Sequence, residues 1–381
     1  MRLNPKPGNF PTYPTVELDR KRDALIAAGR PVFDFGTGDP IEPTPEFIRA
    51  AMKDAVPDNC RYPTVLGDRS IRVAFADYMA RRTGVVLNPD TAVLPTSGSK
   101  EAVFHLPLLV IDPDADDRGV VFPDPGYSVY HRGTVLAGGE PLPQRLDGDF
   151  VQRPWTLPAA VLRRTRLMWI NSPHNPTGAL MSRDDLRRTW ELCREHDILL
   201  VNDECYLDVW FERRPTSLLE IATEGVLAVY SLSKRSGMTG YRAGMIAGDP
   251  AYMRPLRDLR TNPGLAPQDF VNAASAAAWA DDAHAESRRA TFGAKRAVLL
   301  EWFREAGWEV AASEASFYLW VRAPKGMDGR AFAAWLLGAG ILVNPGGAFS
   351  LTDAGDDWVR FALVPDLAGC HAAVAAWRGM R

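Results

Sequence analysis

Short apolar runs recur along the chain and alternate with helix-like segments. The runs cover residues 92–94, 119–122, 167–170, 198–201, 227–230 and 243–246. Continuous apolar runs of this length predict strands that are buried on both faces, and their alternation with helices predicts βαβ crossovers in a mostly parallel sheet. Ligands of such sheets bind beyond the carboxyl ends of the strands. The pattern therefore predicts an α/β fold and the edge at which its chemistry lies.

The pattern changes in the last third of the chain, where Ala-rich segments with charged faces predict long helices that lead into a second domain. The predicted elements there are helices over residues 268–279 and 283–306 and strands near 317–321 and 358–364. A chain of 381 residues suits two domains. We expect a large domain over residues 46–270 and a smaller α+β domain built from residues 1–45 and 271–381.

The opening of the chain is rich in proline, with Pro5, Pro7, Pro11 and Pro14 close together. Proline clusters favour extended, irregular backbone. We expect an arm without regular structure, lying on a surface of the protein or on a partner subunit.

Composition narrows the class of ligand. The formal net charge is -3 and no long basic block occurs, which argues against nucleic acid or an anionic membrane as a partner. No segment approaches the roughly 18 apolar residues of a membrane helix, and the N-terminus lacks the apolar region of a signal peptide, so we expect a cytoplasmic protein. The four cysteines show no C-x-x-C spacing, so neither a metal site nor a disulfide framework is predicted. A small molecule is the expected ligand.

Lys234 lies just after the apolar run 227–230, in a segment that also contains hydroxyls, glycines and arginines. A lysine amine attacks a carbonyl only when it is unprotonated, and a partly buried, cationic setting lowers its pKa toward that state. Arg235 and Arg242 contribute to such a setting. Taken alone, a solvated loop lysine is an equally good interpretation.

The sequence Thr-Ser-Gly-Ser-Lys at residues 96–100 ends one predicted strand and precedes a predicted helix over residues 101–110. The free backbone N–H groups and the positive dipole end of a helix at this position suit a phosphate. A Walker A loop is excluded because Val93 stands where its first glycine belongs. An ordinary helix cap remains the alternative.

Arg360 lies among apolar residues in the predicted strand near 358–364. A charge in that position is costly unless it meets an anion, and a guanidinium suits bidentate binding of a carboxylate. The alternative is a structural salt bridge.

These segments together resemble the class I and II aminotransferases, which are pyridoxal-phosphate enzymes of fold type I. Residues 231–244 are similar to the family's Schiff-base motif, and residues 171–178 are similar to its N-x-x-x-N-P-T-G loop. The likeness extends nearly from end to end. The resemblance implies that Lys234 carries pyridoxal phosphate as a Schiff base and moves a proton between the substrate α-carbon and the cofactor.

The resemblance also implies a set of cofactor contacts and adds Asp203 and Tyr206 to Lys234 as catalytic residues. The implied contacts are Asp203 with the pyridine nitrogen, Asn175 and Tyr206 with the phenolic oxygen, the Tyr127 ring on the pyridine face, and, with the phosphate, the backbone amides of Gly98, Ser99 and Lys100 and the side chains of Ser231, Ser233 and Arg242. An N-cap for Asp203 and core packing for Tyr127 are the alternatives.

Substrate contacts and a homodimer follow from the same resemblance. Arg360, Asn175 and the Gly38 backbone correspond to groups that bind the substrate α-carboxylate. Tyr62 corresponds to a tyrosine that reaches the cofactor phosphate of the neighbouring subunit. We also expect cis peptide bonds before Pro176 and Pro125, because related enzymes use cis prolines to aim neighbouring side chains.

The expected reaction moves an amino group between an amino acid, with glutamate as donor, and a 2-oxo acid. In overall pattern the chain is most similar to bacterial N-succinyldiaminopimelate aminotransferases of lysine biosynthesis, while residues 238–242 are also similar to LL-diaminopimelate and aspartate-type enzymes. A long dicarboxylate needs a second cation, for which Arg257 and Arg260 are candidates by position. A carbon–sulfur lyase or decarboxylase remains an alternative reaction, and a non-catalytic binding protein is disfavoured by the presence of Lys234.

Overall fold

We describe a computed structural model of the chain, which covers residues 3–10 and 14–380. The strands are β1 Phe33–Asp34, β2 Val93–Thr96, β3 Gly119–Asp124, β4 Glu140–Arg145, β5 Thr165–Ile170, β6 Leu199–Asp203, β7 Val226–Ser231, β8 Gly244–Gly248, β9 Tyr318–Arg322, β10 Ile341–Leu342, β11 Asn344–Pro345 and β12 Trp358–Ala362. The helices are α1 Pro5–Gly8, α2 Pro14–Ala27, α3 Glu46–Asp54, α4 Arg69–Thr83, α5 Ser99–His105, α6 Pro107–Val110, α7 Val129–Leu136, α8 Ala159–Leu162, α9 Arg183–Glu195, α10 Leu232–Arg235, α11 Pro250–Thr261, α12 Asp269–Ala280, α13 Ala283–Ala306, α14 Gly329–Leu337 and α15 Leu367–Arg378.

The large sheet has seven strands in the order β2-β8-β7-β6-β5-β3-β4. Only β8 runs antiparallel to its neighbours, so β2 points the same way as the parallel strands β7, β6, β5 and β3. The carboxyl ends of these five strands therefore meet at one edge of the sheet. The predicted α/β fold with a mostly parallel sheet is confirmed.

Apolar side chains cover both faces of this sheet, as continuous apolar strands require. One core contains Met168, Leu200 and Ala228 together with residues of α4 and α12, and the other contains Leu167, Val201 and Val229. Fully buried strands of this kind form a rigid base for the loops at their carboxyl ends.

A second core lies in the last third of the chain. It joins α13, α14 and α15 to the antiparallel sheet β11-β12-β9 and to the short parallel pair β1-β10. The predicted helices and strands of this part are confirmed. Helix α12 packs on α3 and α4, next to the large sheet. The domain division at residues 45 and 270 stays a prediction.

The proline-rich opening differs from the extended arm that the sequence predicts. Pro5 begins helix α1, where the Asn4 side chain accepts a hydrogen bond from the Lys6 N–H at 3.0 Å, and Pro14 is the first residue of α2. Proline suits the first helical position because its fixed φ matches the helix and its missing N–H has no partner there. Pro11 lies outside the described residues.

The helix at the carboxyl edge of the sheet differs locally from the prediction. The helix predicted over residues 101–110 is divided into α5 and α6 at Pro107, which cannot donate a backbone hydrogen bond. Cis peptide bonds precede Pro125 and Pro176 as predicted, and a third precedes Pro173.

Within the described residues, none of the helices is long and apolar enough to cross a membrane.

Candidate active site

Lys234 lies on α10, one turn beyond the carboxyl end of β7, and only 9% of it is exposed. Its Nζ donates a hydrogen bond to the Gly38 carbonyl oxygen and lies 5.2 Å from the centre of the Phe317 ring. Burial lowers the pKa of this amine to about 8, and the positive charges of Arg360 and Arg288 act in the same direction. With this pKa, roughly one molecule in ten carries the neutral, nucleophilic amine at pH 7.

The cleft around Lys234 has a volume of about 450 Å³. Most of the predicted site residues line it: Gly38, Ser99, Lys100, Tyr127, Asn175, Asp203, Tyr206, Ser231, Ser233, Lys234, Arg242 and Arg360. These residues come from the edge of the large sheet, from the loop before α3 and from β12. The cleft therefore lies between the two cores.

Asp203 ends β6 and is 5% exposed. Its carboxylate accepts hydrogen bonds from the Tyr130 hydroxyl at 2.9 Å and from the Cys205 N–H at 3.3 Å. The Asn171 side-chain amide donates to the Asp203 carbonyl oxygen at 2.7 Å. Burial raises the pKa of Asp203. A cationic donor, such as a protonated ring nitrogen, stabilises the negative charge of a buried carboxylate more strongly than that of a solvated carboxylate.

The start of α5 is the segment that the sequence predicts as a phosphate-binding cup. Gly98 adopts φ 77°, which favours glycine, and its absent side chain leaves room for the Arg242 guanidinium. Its N–H donates to the Thr96 carbonyl oxygen at 2.8 Å, so this amide is already occupied. None of the described side chains caps α5, so the start of this helix presents backbone N–H groups and the positive end of its dipole to the cleft.

The residues behind the cup are held by a buried ion pair. Arg260 is 1% exposed and forms two hydrogen bonds with the Glu101 carboxylate, at 3.0 and 3.1 Å. The same carboxylate accepts the Ser97 N–H at 3.0 Å. Arg260 is therefore a structural residue below the cup, and its candidacy for a distal substrate carboxylate is wrong because its guanidinium is already bound and buried.

Arg360 is 6% exposed on β12, with its guanidinium carbon 4.1 Å from the Tyr318 ring centre and 4.3 Å from that of Phe349. Its donors reach the Asn175 side-chain oxygen at 3.1 Å and the Gly36 carbonyl oxygen at 3.0 Å. Its Nε has no hydrogen-bond acceptor, and none of the described acidic side chains forms an ion pair with it. The structural salt bridge is thus absent from the described chain, and the guanidinium has capacity for an external anion.

The asparagine loop that follows β5 brings Asn175 to this arginine. The Asn171 side chain accepts a hydrogen bond from the Asn175 N–H at 2.8 Å, which fixes the backbone of the loop. Tyr206 lies nearby, and its hydroxyl donates to the Tyr318 hydroxyl at 3.4 Å. Gly38 packs so closely on Tyr318 that an added Cβ would lie 2.9 Å from that hydroxyl.

Tyr62 is placed away from its own cleft and is 99% exposed. It lines a separate surface depression together with Leu66, Arg257 and Thr261. Arg257 pairs with Asp258 at 3.1 Å and does not line the cleft around Lys234. Neither residue lines the cleft around Lys234 in the same chain.

The sequence pattern missed three groups that shape the cleft. Tyr318 and Phe349 hold the Arg360 guanidinium between their rings, and Arg288 donates to the Lys234 carbonyl oxygen at 3.0 Å. All three come from the last third of the chain and meet Lys234 or Arg360 through long-range packing. No motif marks Arg288 in the sequence, because the burial that makes this arginine unusual is visible only in the structure.

The described residues fit pyridoxal phosphate. A buried lysine with a lowered pKa suits the aldehyde, the Asp203 carboxylate suits the ring nitrogen, and uncapped helix amides beside Arg242 suit the phosphate. The Thr96 hydroxyl, next to the cup, is buried without a hydrogen-bond partner. These groups supply a donor or acceptor for each polar part of the cofactor.

Comparison with known proteins identifies the family to which the chain belongs. Residues 30–376 match the family model for aminotransferases of class I and II. The chain is 34% identical over 375 residues to "LL-diaminopimelate aminotransferase 2" of Nostoc sp. strain PCC 7120, covering 96% of this chain and 95% of the relative. It is 36% identical over 377 residues to LL-diaminopimelate aminotransferase of Dehalococcoides mccartyi, covering 96% of each.

The fold is shared with a solved structure, the aspartate aminotransferase from Thermus thermophilus with maleate, at a TM-score of 0.92 and 26% identity over the whole of both chains. The family model spans most of the chain, and the relatives match it nearly from end to end. The chain belongs to the class I and II aminotransferases and is a pyridoxal-phosphate-dependent enzyme.

Proposed function

We propose that this aminotransferase moves an amino group between LL-diaminopimelate and a 2-oxo acid, with glutamate as the other amino acid of the exchange. The LL-diaminopimelate relatives share more of the sequence than the aspartate aminotransferase does. This support favours LL-diaminopimelate over the N-succinyl substrate that the sequence pattern suggested first. The N-succinyl compound differs in carrying an amide and no charged distal amine.

The observation that carries the proposal is the buried Arg360 guanidinium, which lies in the same cleft as Lys234 and has no carboxylate partner among the described residues. All amino acid substrates share an α-carboxylate, and a guanidinium binds it through two parallel hydrogen bonds. Asn175 holds one edge of Arg360 and orients it. Substrate binding therefore supplies the missing anion.

Each catalytic residue has one proposed task. When bound, pyridoxal phosphate withdraws electrons from the substrate α-carbon. The Lys234 Nζ accepts the α-proton and later returns it, which its pKa of about 8 allows near neutral pH. The Asp203 carboxylate holds the ring nitrogen protonated, and Tyr206 with Asn175 donates to the phenolic oxygen. Phe349 and Tyr318 limit water around Arg360.

The remaining site assignments are proposed in the same way. The Ser99 and Lys100 amides with the Ser231, Ser233 and Arg242 side chains bind the phosphate. Tyr127 stacks on the ring, and the Gly38 backbone meets the substrate carboxylate. We propose a homodimer in which Tyr62 reaches the phosphate in the partner subunit, because this tyrosine is exposed and lies away from its own cleft.

A substrate panel tests the proposed function. The holoenzyme is assayed with LL-diaminopimelate, N-succinyl-LL-diaminopimelate and aspartate, each with 2-oxoglutarate as acceptor, and kcat/KM is compared. We expect the highest value for LL-diaminopimelate. A higher value for either other substrate would overturn the choice of substrate.

A half-reaction separates transamination from lyase chemistry. Glutamate alone should convert the enzyme to its pyridoxamine form, which changes the absorption spectrum, and 2-oxoglutarate should reverse the change. A carbon–sulfur lyase would instead release its product without an amino acceptor. Absence of the spectral change with glutamate and with LL-diaminopimelate would contradict transamination.

A further inference from the structure

A second cavity of about 450 Å³ adjoins the cleft around Lys234. It lies between α2, α7 and α14, and it shares Tyr127, Ser128, Asn344, Ala348 and Phe349 with the cleft as common walls. The apolar part of these walls suits a chain of methylene groups. Arg360 packs against Phe349, one of these shared residues, so a substrate whose α-carboxylate is bound at Arg360 lies next to this cavity.

Charged side chains of both signs line the far side of this cavity. Glu17 and Lys21 form a salt bridge of 2.7 Å on α2, with 70% and 39% of their side chains exposed. Exposed ion pairs of this kind are weak because water screens them, so a ligand can separate them at little cost. The hydrogen bond from Lys21 lowers the pKa of Glu17, whose carboxylate is therefore negative at neutral pH.

Arg330, at the start of α14, lines the same cavity and is exposed. Among the side chains that the structure describes, none forms a hydrogen bond or ion pair with the Arg330 guanidinium. Its charge acts on Glu17, so the two side chains lie within electrostatic range. A guanidinium in this state is ready to bind a carboxylate through two hydrogen bonds.

The other ionisable groups of the cavity are engaged or uncharged. Asp124 accepts hydrogen bonds from Ser350 and Thr352, and Arg132 lies over the Phe10 ring at 5.2 Å. Burial lowers the pKa of His131, so its imidazole is neutral at neutral pH. The charged side chains that can contact a ligand in this cavity are therefore those of Arg330, Lys21 and Glu17.

We propose that this cavity binds the distal amino-carboxylate end of the substrate, with Arg330 and Lys21 on the carboxylate and Glu17 on the ammonium group. The proposal rests on the proposed function, because LL-diaminopimelate carries the same pair of charged groups at both ends, separated by methylene groups. It also replaces Arg257 and Arg260, which the sequence suggested for the distal carboxylate and which lie outside this cavity.

The test uses three amino acids and two substitutions in the holoenzyme. LL-diaminopimelate has both distal groups, 2-aminopimelate has the distal carboxylate alone, and alanine has neither. Arg330→Gln should raise KM about tenfold or more for the two long substrates and leave alanine unchanged. Glu17→Gln should raise KM for LL-diaminopimelate only. Arg304→Gln and Asp19→Asn, at exposed paired positions outside the cavity lining, are matched controls that should change none of the three.

The outcomes separate the cavity from the proposed function. If LL-diaminopimelate is a substrate and Arg330→Gln leaves its KM unchanged, the cavity assignment is wrong and the function stands. If LL-diaminopimelate is inactive while Arg330→Gln weakens 2-aminopimelate selectively, the function is wrong and the assignment of the carboxylate to Arg330 stands. Equal losses for alanine and the long substrates would show a structural role for Arg330 and overturn the proposal.

Discussion

At the scale of single residues, the chain keeps two cations buried in one cleft. Lys234 is 9% exposed and Arg360 is 6% exposed. Burial lowers the pKa of the lysine and so makes it chemically useful, whereas the arginine stays charged and needs an anion. Burial therefore favours the neutral form of Lys234, which suits proton transfer, and leaves Arg360 charged, which suits binding of a substrate carboxylate.

Replacing Arg360 with Met should separate catalysis from stability. Loss of the guanidinium should lower kcat/KM for every amino acid substrate by at least about thirtyfold, because a buried charge pair with the α-carboxylate is worth about 2–5 kcal/mol. The free energy of unfolding of the cofactor-free protein should stay equal or rise, since a buried charge without a carboxylate is removed. Steady-state kinetics and denaturant unfolding measure the two effects. A destabilised variant with normal KM would indicate a structural arginine.

The pH dependence of cofactor capture should report the Lys234 amine. Only the neutral amine attacks the aldehyde, so the rate at which the cofactor-free protein binds pyridoxal phosphate should rise about tenfold per pH unit below pH 8 and level off above it. Stopped-flow absorbance measures this rate. Removal of the Arg360 charge should move the midpoint to higher pH, because that charge lowers the lysine pKa. A midpoint near 10.5 in the unmodified protein would contradict the lowered pKa.

At the scale of elements, much of the fold follows from local pattern. The six apolar runs became strands of the large sheet because fully buried strands need continuous apolar sequence. Strand β4 was missed because its sequence contains Pro141 and Pro143 and it lies at the sheet edge, where proline is tolerated. Motif residues on strand ends were predictable, since each lies within a few positions of an apolar run.

The rest of the cleft was not predictable from pattern because it depends on packing between distant segments. Tyr318 and Phe349 are far apart from each other and from Lys234 along the sequence, yet both contact Arg360. No periodicity marks either residue. The helical arm was missed for a different reason, because proline both breaks helices and begins them.

Asp124 links the large sheet to the loop that carries Phe349. Its buried carboxylate accepts four hydrogen bonds, from the Ser350 hydroxyl, the Leu351 N–H, and the Thr352 N–H and hydroxyl, at 2.6–3.2 Å. Asp124→Ala should leave these donors without their acceptor, destabilise the protein by about 1–3 kcal/mol and raise KM through a looser loop. Thermal unfolding and kinetics test this.

A matched variant separates the loop from the strand in that experiment. Thr352→Val removes one hydroxyl donor and keeps the carboxylate, so it should show a smaller loss of the same kind. Equal stability and equal KM in Asp124→Ala and the unmodified protein would mean that the loop does not depend on this carboxylate.

At the scale of the whole molecule, the cleft forms where the edge of the large sheet meets the second core. Helix α10, which carries Lys234, packs with the large sheet, and strand β12, which carries Arg360, belongs to the second core. Reaction geometry therefore depends on how these parts pack. Tyr62 extends this dependence to a proposed partner subunit.

Complementation tests the role of Tyr62. We expect Tyr62→Phe to weaken cofactor affinity about tenfold, which is the loss of one hydrogen bond to a charged phosphate. In mixed dimers of Tyr62→Phe and Lys234→Ala, one cleft combines an intact Lys234 with an intact Tyr62 from the other chain. Activity at limiting cofactor should then exceed the mean of the two parent dimers. Activity equal to that mean would contradict a tyrosine acting across the interface.

The central claim is that one lysine amine holds the cofactor, and borohydride trapping tests it most directly. The holoenzyme is reduced, digested and analysed by peptide mass spectrometry. We predict the mass of the reduced cofactor on Lys234, with no label on Lys100 or Lys295. Label on a different lysine, or unmodified Lys234 in enzyme that was active before reduction, would contradict the account.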